Sequence, residues 1–135
     1  MSTLQGGPGS IVTDGLVLYL DAGNYLSYPG SGTTWTDLSS GGSNGTLTNG
    51  PTYSPDNAGS IVFDGVDDYA AVSCNLSTFS SLTVSIYTYI KSQANIQSRL
   101  FSNRTSSGVG LAIWVATSTL NARLNGTKIT SGNVI

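Results

Sequence analysis

The sequence contains no histidine, no glutamate and a single cysteine among its 135 residues. Without histidine, the chain has no imidazole general base, no Ser-His-Asp triad and no histidine-based zinc site. One cysteine can form neither an internal disulfide nor a thiolate metal cluster. The five lysines and arginines are too few and too scattered for the phosphate-binding surface of a nucleic-acid-binding protein.

Long hydrophobic runs are also missing from the sequence. No segment approaches the ~20 apolar residues of a membrane-spanning helix, so a membrane is not an expected partner. Residues 1–10 contain neither a basic stretch nor an apolar stretch, and they do not predict a secretory signal peptide. If the protein acts outside a cell, we expect it to arrive by lysis, by a dedicated secretion system or by assembly into a particle.

Residues that favour turns and strands dominate the composition. Serine, threonine, glycine, asparagine and proline supply 68 of the 135 residues, and all seven acidic residues are aspartate. Hydrophobic residues make up 39% of the chain and charged residues only 9%, a balance opposite to that of disordered proteins. The length fits a single domain, residues 1–135. Because no window shows a helical period, the sequence predicts an all-β protein.

Alternating hydrophobicity between turn signals predicts a series of strands. They are Leu16–Leu20, Ser60–Phe63, Tyr69–Ser73, Leu82–Ile90, Ile96–Ser102, Val109–Ala116, Leu120–Leu124 and Thr127–Thr130. We expect the second and third of these to form a hairpin across Asp64–Asp68. A further hairpin is expected at Asn125–Gly126, where both residues tolerate positive φ. Such spacing is typical of a sandwich or a barrel.

The same alternation predicts which side chains face a core. In Leu82–Ile90 the inward face is expected to consist of the aliphatic side chains Leu82, Val84, Ile86 and Ile90. In the strand Leu120–Leu124 we expect the three apolar residues to point inward, with Asn121 and Arg123 pointing outward.

Residues 24–57 form a long connection rich in glycine, serine and threonine. We expect it to be held by Trp35 and by short extended pieces near Thr34–Leu38 and Gly45–Thr48, because long structureless loops are unusual in compact domains. The connection is either a displayed binding loop or a packed crossing over one end of a sandwich. Residues 1–12 are interpreted as an N-terminal arm or a first strand.

Four segments carry a family resemblance: TDGLVLYLDAGN at 13–24, SYPGSGTTWTDLS at 27–39, NGTLTNGPTY at 44–53 and GSIVFDGVDDY at 59–69. In this order they resemble the N-terminal half of concanavalin A-like, laminin-G-type (LamG) domains, and more narrowly the version found in structural proteins of tailed bacteriophages. The match is dense over residues 6–73 and looser beyond Leu82. The resemblance implies an antiparallel, jelly-roll-like β-sandwich, but no particular activity, because this fold hosts lectins, hydrolases and spacers alike.

Compared with such domains, the sequence looks shortened at its C-terminus, where the strand that usually closes the sandwich is missing. A shortened sandwich would leave a sheet edge or an apolar face uncovered. We therefore expect a homo-oligomer, or contacts with other virion proteins. The interface candidates are Tyr87, Tyr89, Val134 and Ile135.

The resemblance to phage proteins implies a virion protein, and the composition argues against an enzyme. Hydrolases of this fold carry glutamate pairs on a strand, and this chain contains no glutamate. We expect a head-decoration protein or a tail or fibre component on the virion surface, extracellular once released, with weak adhesion to host glycans as a second role. The alternative is a carbohydrate-binding, lectin-like module, free or secreted.

Two groups of residues are candidate binding sites. Sugar rings stack on exposed aromatic faces, and the aromatic residues in or beside the long connection are Tyr25, Tyr28, Trp35 and Tyr53. For Trp35 the competing interpretation is a buried plug. LamG domains often bind calcium through carboxylate and carbonyl oxygens, which makes Asp64, Asp67 and Asp68 candidate ligands. Ordinary turn chemistry explains the same three aspartates, and no other cofactor is expected.

Overall fold

A computed structural model describes residues 11–74, 76, 80–90, 98–103, 110–116, 119–124 and 127–133. Its described elements are antiparallel strands and one short 3-10 turn, which confirms the prediction of an all-β protein. The chain forms two compact units, Met1–Ser80 and Ser81–Ile135. No helix in these ranges is long and apolar enough to cross a membrane. The described sheets are small and open, and a jelly-roll sandwich over residues 1–135 stays a prediction.

The first unit contains two small antiparallel sheets. One places β1 (Thr34–Trp35), β2 (Gly45–Thr48) and β5 (Tyr69–Val72) side by side in that order. The other pairs β3 (Thr52–Ser54) with β4 (Ser60–Val62). Strands β1 and β2 lie within the two extended pieces that the sequence predicts. Alternation along β2 buries Leu47 and exposes Thr46, as expected for a strand with one face in a core.

The predicted hairpin of Ser60–Phe63 with Tyr69–Ser73 is wrong, although both segments contain strands. Strand β4 pairs with β3, and β5 pairs with β2. Side chains satisfy the intervening backbone instead: the Asp64 N–H donates to Asp68 Oδ2 at 3.0 Å, and the Val66 N–H donates to Asp64 Oδ1 at 2.8 Å. The turn therefore connects two sheets and does not fold one strand back onto the other.

The predicted strand Leu16–Leu20 is not a strand in the structure. Its side chains are half-buried, and the Leu38 N–H donates to the Tyr19 carbonyl at 2.9 Å. The Tyr19 N–H, however, donates to the Asp37 carboxylate at 2.8 Å. Because a side chain takes the donor that a neighbouring strand would use, the segment lies in extended contact without forming a ladder. The predicted arm at residues 1–12 lies outside the described residues except for the exposed Ile11 and Val12.

The second unit is a four-stranded antiparallel meander. Its strands, in chain and spatial order, are β6 (Ser98–Ser102), β7 (Leu111–Ala116), β8 (Thr119–Leu124) and β9 (Thr127–Asn133). These match the four strands predicted for this region. Leu124 lies opposite Thr127, as a two-residue hairpin requires, while Asn125 and Gly126 lie outside the described residues.

The predicted outward orientation of Asn121 is wrong. Asn121 is only 4% exposed and lies opposite Trp114 in the neighbouring strand. The Arg123 guanidinium lies 5.9 Å from the Trp114 ring, on the same sheet face. The large indole covers this polar side of β8, and Val115 on the other face is also buried. Alternation cannot reveal such burial, since it assumes that one face of the strand is solvated.

The predicted strand Leu82–Ile90 is likewise not a strand in the structure. Its backbone makes no hydrogen bond with the described residues. The two tyrosines are fully or mostly exposed, at 109% for Tyr87 and 81% for Tyr89, and Leu82 and Ile86 are exposed as well. The segment has the sequence of a strand but no pairing partner among the described strands, and an isolated strand is not stable.

Candidate functional site

The predicted acidic residues meet at the turn between β4 and β5. Asp64 follows β4 and Asp68 precedes β5, with Asp67 beside it. One carboxylate oxygen of each residue lies within 4.8 Å of one oxygen of both others. The Asn49 side-chain amide donates to the Asp67 carbonyl at 2.8 Å and fixes the turn to the end of β2. We call these three residues the aspartate cluster.

The spacing of the three carboxylates is compatible with a shared calcium ion, although Asp64 Oδ1 and Asp68 Oδ2 also accept backbone N–H groups of the turn. Calcium takes 6–8 oxygen ligands at about 2.3–2.6 Å, so ligands on opposite sides of one ion lie about 5 Å apart. Asp64 and Asp67 are exposed, while Asp68 Oδ1 is buried and has no hydrogen-bond partner. A bound cation would coordinate this unpartnered oxygen, and it would reduce the repulsion among the three carboxylates.

The four aromatic glycan-binding candidates differ in exposure. Tyr28 is 4% exposed, and its hydroxyl donates to the Gly32 carbonyl at 2.8 Å. Its ring packs 5.8 Å from that of Tyr53 at an interplanar angle of 46°. Tyr28 is thus part of the core of the first unit, and a sugar ring has no access to it. Tyr53 is 37% exposed and forms the outer member of this pair.

The remaining two candidates are Tyr25 and Trp35. Tyr25 is 76% exposed beside the equally exposed Leu26, at a turn in which the Asn24 side chain accepts the Leu26 N–H. Trp35 is half-buried in β1, and its indole Nε1 is buried without a hydrogen-bond partner. Among the described aromatic rings of this group, Tyr25 therefore presents the most surface for stacking. Of the interface candidates, Tyr87 and Tyr89 are exposed, and Val134 and Ile135 lie outside the described residues.

Sequence reasoning misses the carboxylate that accepts the most hydrogen bonds among residues 11–74. Asp37 is 7% exposed, and both of its oxygens accept hydrogen bonds. The Tyr19 and Ser39 N–H groups donate to Oδ1 at 2.8 and 2.9 Å. The Ser43 N–H and the Ser39 hydroxyl donate to Oδ2 at 2.9 and 2.8 Å. The Asp-Leu-Ser triplet is a local signal for such a turn, but the bonds to Tyr19 and Ser43 are tertiary.

The bonds around Asp37 determine its charge state. Burial alone would raise the pKa of this carboxyl, but the N–H donors of Tyr19, Ser39 and Ser43 and the Ser39 hydroxyl hold the pKa below its usual value. Nearby, burial and a hydrogen bond to Asp21 raise the pKa of the Tyr19 phenol. Asp37 is therefore ionised at neutral pH and joins three chain segments.

Ser27 serves the same structural purpose. It is fully buried, its hydroxyl donates to the Thr36 carbonyl at 2.6 Å, and it accepts the Asp21 N–H at 3.1 Å. Polar side chains thus join the segments of residues 16–48 where a ladder of strands is absent.

No protein-family model, curated protein or solved structure matches the chain. What the chain does must therefore be inferred from its own residues and contacts.

Proposed function

We propose that this chain is a non-enzymatic structural protein of a tailed-phage virion, a head-decoration protein or a tail or fibre component. The observation that carries the proposal is the amount of apolar surface left uncovered. Among the residues whose side-chain exposure is described, twelve large hydrophobic side chains are exposed and five hydrophobic residues are buried. Contiguous exposed apolar surface marks interaction sites, and four of these side chains, Leu82, Ile86, Tyr87 and Tyr89, lie within one nine-residue segment.

Open sheet edges support the same role. In the described part of the chain, β6 and β9 are outer strands of their sheet, and β1 and β5 are outer strands of theirs. Unpaired strand edges recruit further strands, and proteins manage them by covering or pairing them. Neighbouring copies or other virion proteins would cover these edges in a particle, and the assembled state is where we place the jelly-roll-like sandwich of the LamG resemblance.

The charge of the chain is compatible with dense packing on a particle. Its formal net charge is −2, with five basic and seven acidic residues. Copies of such a chain repel one another little, and hydroxyl and amide groups supply the hydrophilic surface. Together with the phage resemblance, this supports a location on the virion surface.

The location can be tested by immunogold electron microscopy of particles released from cells that carry the gene. We expect an antibody against the chain to label intact particles at regular positions. If the particles were unlabelled and the chain were found only in the soluble fraction, the proposal would be contradicted. An antibody against a cytoplasmic host protein serves as the negative control.

A lectin-like module is the second candidate function, and the exposed ring of Tyr25 favours it. In that case a glycan array would give specific binding that Tyr25→Ala abolishes while the melting temperature stays unchanged. Leu26→Ala is the matched control, because Leu26 is 75% exposed at the same turn but offers no ring for stacking.

Calcium is the proposed ion of the aspartate cluster, because Asp68 Oδ1 is buried without a partner. Adding about 10 mM calcium, roughly tenfold above the Kd of weak extracellular sites, is expected to stabilise the first unit by about 1–2 kcal/mol. Thermal unfolding followed by circular dichroism measures this as a rise of several degrees in Tm.

The matched pair for the calcium experiment is Asp68→Asn and Asp14→Asn. Both remove one negative charge, but Asp14 is exposed and lies outside the cluster. We expect calcium to stabilise the Asp14 variant and not the Asp68 variant. An equal response of both variants, or an equal effect of magnesium, would count against a specific site.

A further inference from the structure

The segment Leu82–Ile90 combines three properties that define an available pairing strand. Its apolar and hydroxyl-bearing residues alternate from Leu82 to Tyr87, and the segment contains no charged residue. Its backbone has no hydrogen bond with the described residues. Large side chains on both of its faces are exposed, including Ile86 at 40% and Tyr87 at 109%.

We propose that Leu82–Ile90 pairs antiparallel with the same segment of a second copy of this chain, around a two-fold axis at Ile86. The inference deepens the proposed structural role and rests on it for its biological setting. An antiparallel pair of identical strands is the self-complementary arrangement that a two-fold axis requires. It would pair the N–H and C=O groups of every second residue of the segment, which have no partner among the described residues.

The register follows from the positions of the side chains. With Ile86 on the axis, Leu82 lies opposite Ile90 and Val84 lies opposite Thr88, so the aliphatic side of one copy continues that of the other. On the opposite face, each tyrosine lies across from a small hydroxyl residue, since Tyr87 pairs with Ser85 and Tyr89 with Thr83. This register uses all nine residues and separates the bulky rings.

The absence of charge favours a second copy over a charged partner. In this register no like charges lie opposite each other, because the segment has none. A partner with a strongly charged edge would gain no ion pair here and would lose hydration of its own charges.

The available area is sufficient for a weak dimer. A fully covered tyrosine side chain buries about 150–250 Å², but side-by-side pairing covers only the edges of the four rings, so they contribute well below about 600–1,000 Å² in total. The exposed parts of Leu82 and Ile86 and the paired backbones add to this. The total lies below the lower limit of about 1,200 Å² for a stable interface, in the range of weak and transient contacts, so we expect a dimer only at high concentration.

Cysteine cross-linking tests the register in the full chain with Cys74→Ser. In the proposed pair, the two Ile86 Cα atoms lie about 4.5–5.5 Å apart, within the range of a disulfide. In this register Val84 lies opposite Thr88 of the other copy, four residues from the other Val84. The two Val84 residues are therefore separated by about 13 Å along the strands. We expect Ile86→Cys to give a disulfide-linked dimer under mild oxidation and Val84→Cys, on the same face, to give at least tenfold less.

Sedimentation equilibrium tests the pairing without an engineered cysteine. We expect the wild-type mass to rise with concentration and Ile86→Lys, which places two ammonium groups opposite each other, to raise the dimer Kd at least tenfold. A wild-type monomer at all concentrations, or equal cross-linking at positions 84 and 86, would overturn the pairing. If the antibody labels particles but the chain is a monomer in solution, only the pairing is overturned. If the chain dimerises in solution but the antibody does not label particles, only the virion role is overturned.

Discussion

Replacing Asp37 with asparagine is expected to destabilise the first unit by about 3–5 kcal/mol. The two carboxylate oxygens accept bonds from Tyr19, Ser39 and Ser43. Asparagine keeps one acceptor and turns its NH₂ group toward donors that face the other oxygen. With NH₂ in place of Oδ2, the Ser39 hydroxyl can reverse and accept, but the Ser43 N–H loses its acceptor, which costs about 1.5–3 kcal/mol. The remaining bonds lose the charge of their acceptor and weaken as well. Urea denaturation followed by circular dichroism measures the change.

The control for this experiment is Asp14→Asn, which changes net charge equally at an exposed position. We expect it to shift the unfolding midpoint little, since exposed substitutions usually change stability by less than about 0.5 kcal/mol. If the two variants unfolded at the same urea concentration, Asp37 would not have the structural role that its bonds indicate.

Acid should weaken the wild-type protein through the same carboxyl. The pKa of Asp37 is lower in the folded chain than its usual value. A depressed folded pKa contributes stability that is fully present above the unfolded pKa, about 3.9, and is lost as the pH falls through the folded value. The wild-type protein should therefore lose more stability below pH 4 than Asp37→Asn, which has already lost this contribution. Parallel pH profiles would contradict the assignment.

Substituting Gly59 with alanine is expected to cost about 3–5 kcal/mol. Gly59 ends the turn before β4 with φ +104°, a conformation that side chains rarely adopt. An added Cβ would lie 2.7 Å from Gly23 Cα and 2.9 Å from both the Ala22 carbonyl and the Tyr53 hydroxyl. Backbone strain of about 1–3 kcal/mol therefore adds to an overpacking cost of similar size.

Gly50 offers a matched control for this substitution. Its φ is +105°, but an added Cβ would meet nothing within 4 Å. Gly50→Ala should therefore incur the backbone strain alone, about 1–3 kcal/mol. The difference between the two urea midpoints measures the close approach of Gly59 to residues 22–23. Equal midpoints would mean that the turn moves away from this contact at no cost.

Local patterns predict the elements whose partners are adjacent in sequence. The meander of β7, β8 and β9 follows from alternation on either side of short turns, because neighbouring strands pair by default. Strands β1 and β2 follow from short apolar anchors, Trp35 and Leu47, within a polar stretch. Asp64, Asp67 and Asp68 also meet as expected, since they are adjacent in one turn.

The failures share one physical cause, which is that pairing and burial depend on distant residues. Alternation identifies Leu82–Ile90 as strand-like but says nothing about a partner. The same limit explains why β4 and β5 pair elsewhere. The role of Asp37 could not be predicted, because an aspartate in a serine-rich loop usually bonds only to its own turn. Its bond to the Tyr19 N–H, 18 residues away in sequence, exists only in the folded chain.

The carboxylate and hydroxyl bonds of residues 16–48 have a consequence for how this sequence can evolve. Here the short polar side chains at Ser27, Asp37 and Ser39 fasten the backbone, while Val12, Leu26 and Val66 extend into solvent. In most proteins, hydrophobic core positions are conserved and polar positions vary. We therefore expect the opposite pattern of conservation in the first unit. Homologous chains should conserve these serines and Asp37, whereas exposed aliphatic residues such as Val12 should be replaced more often.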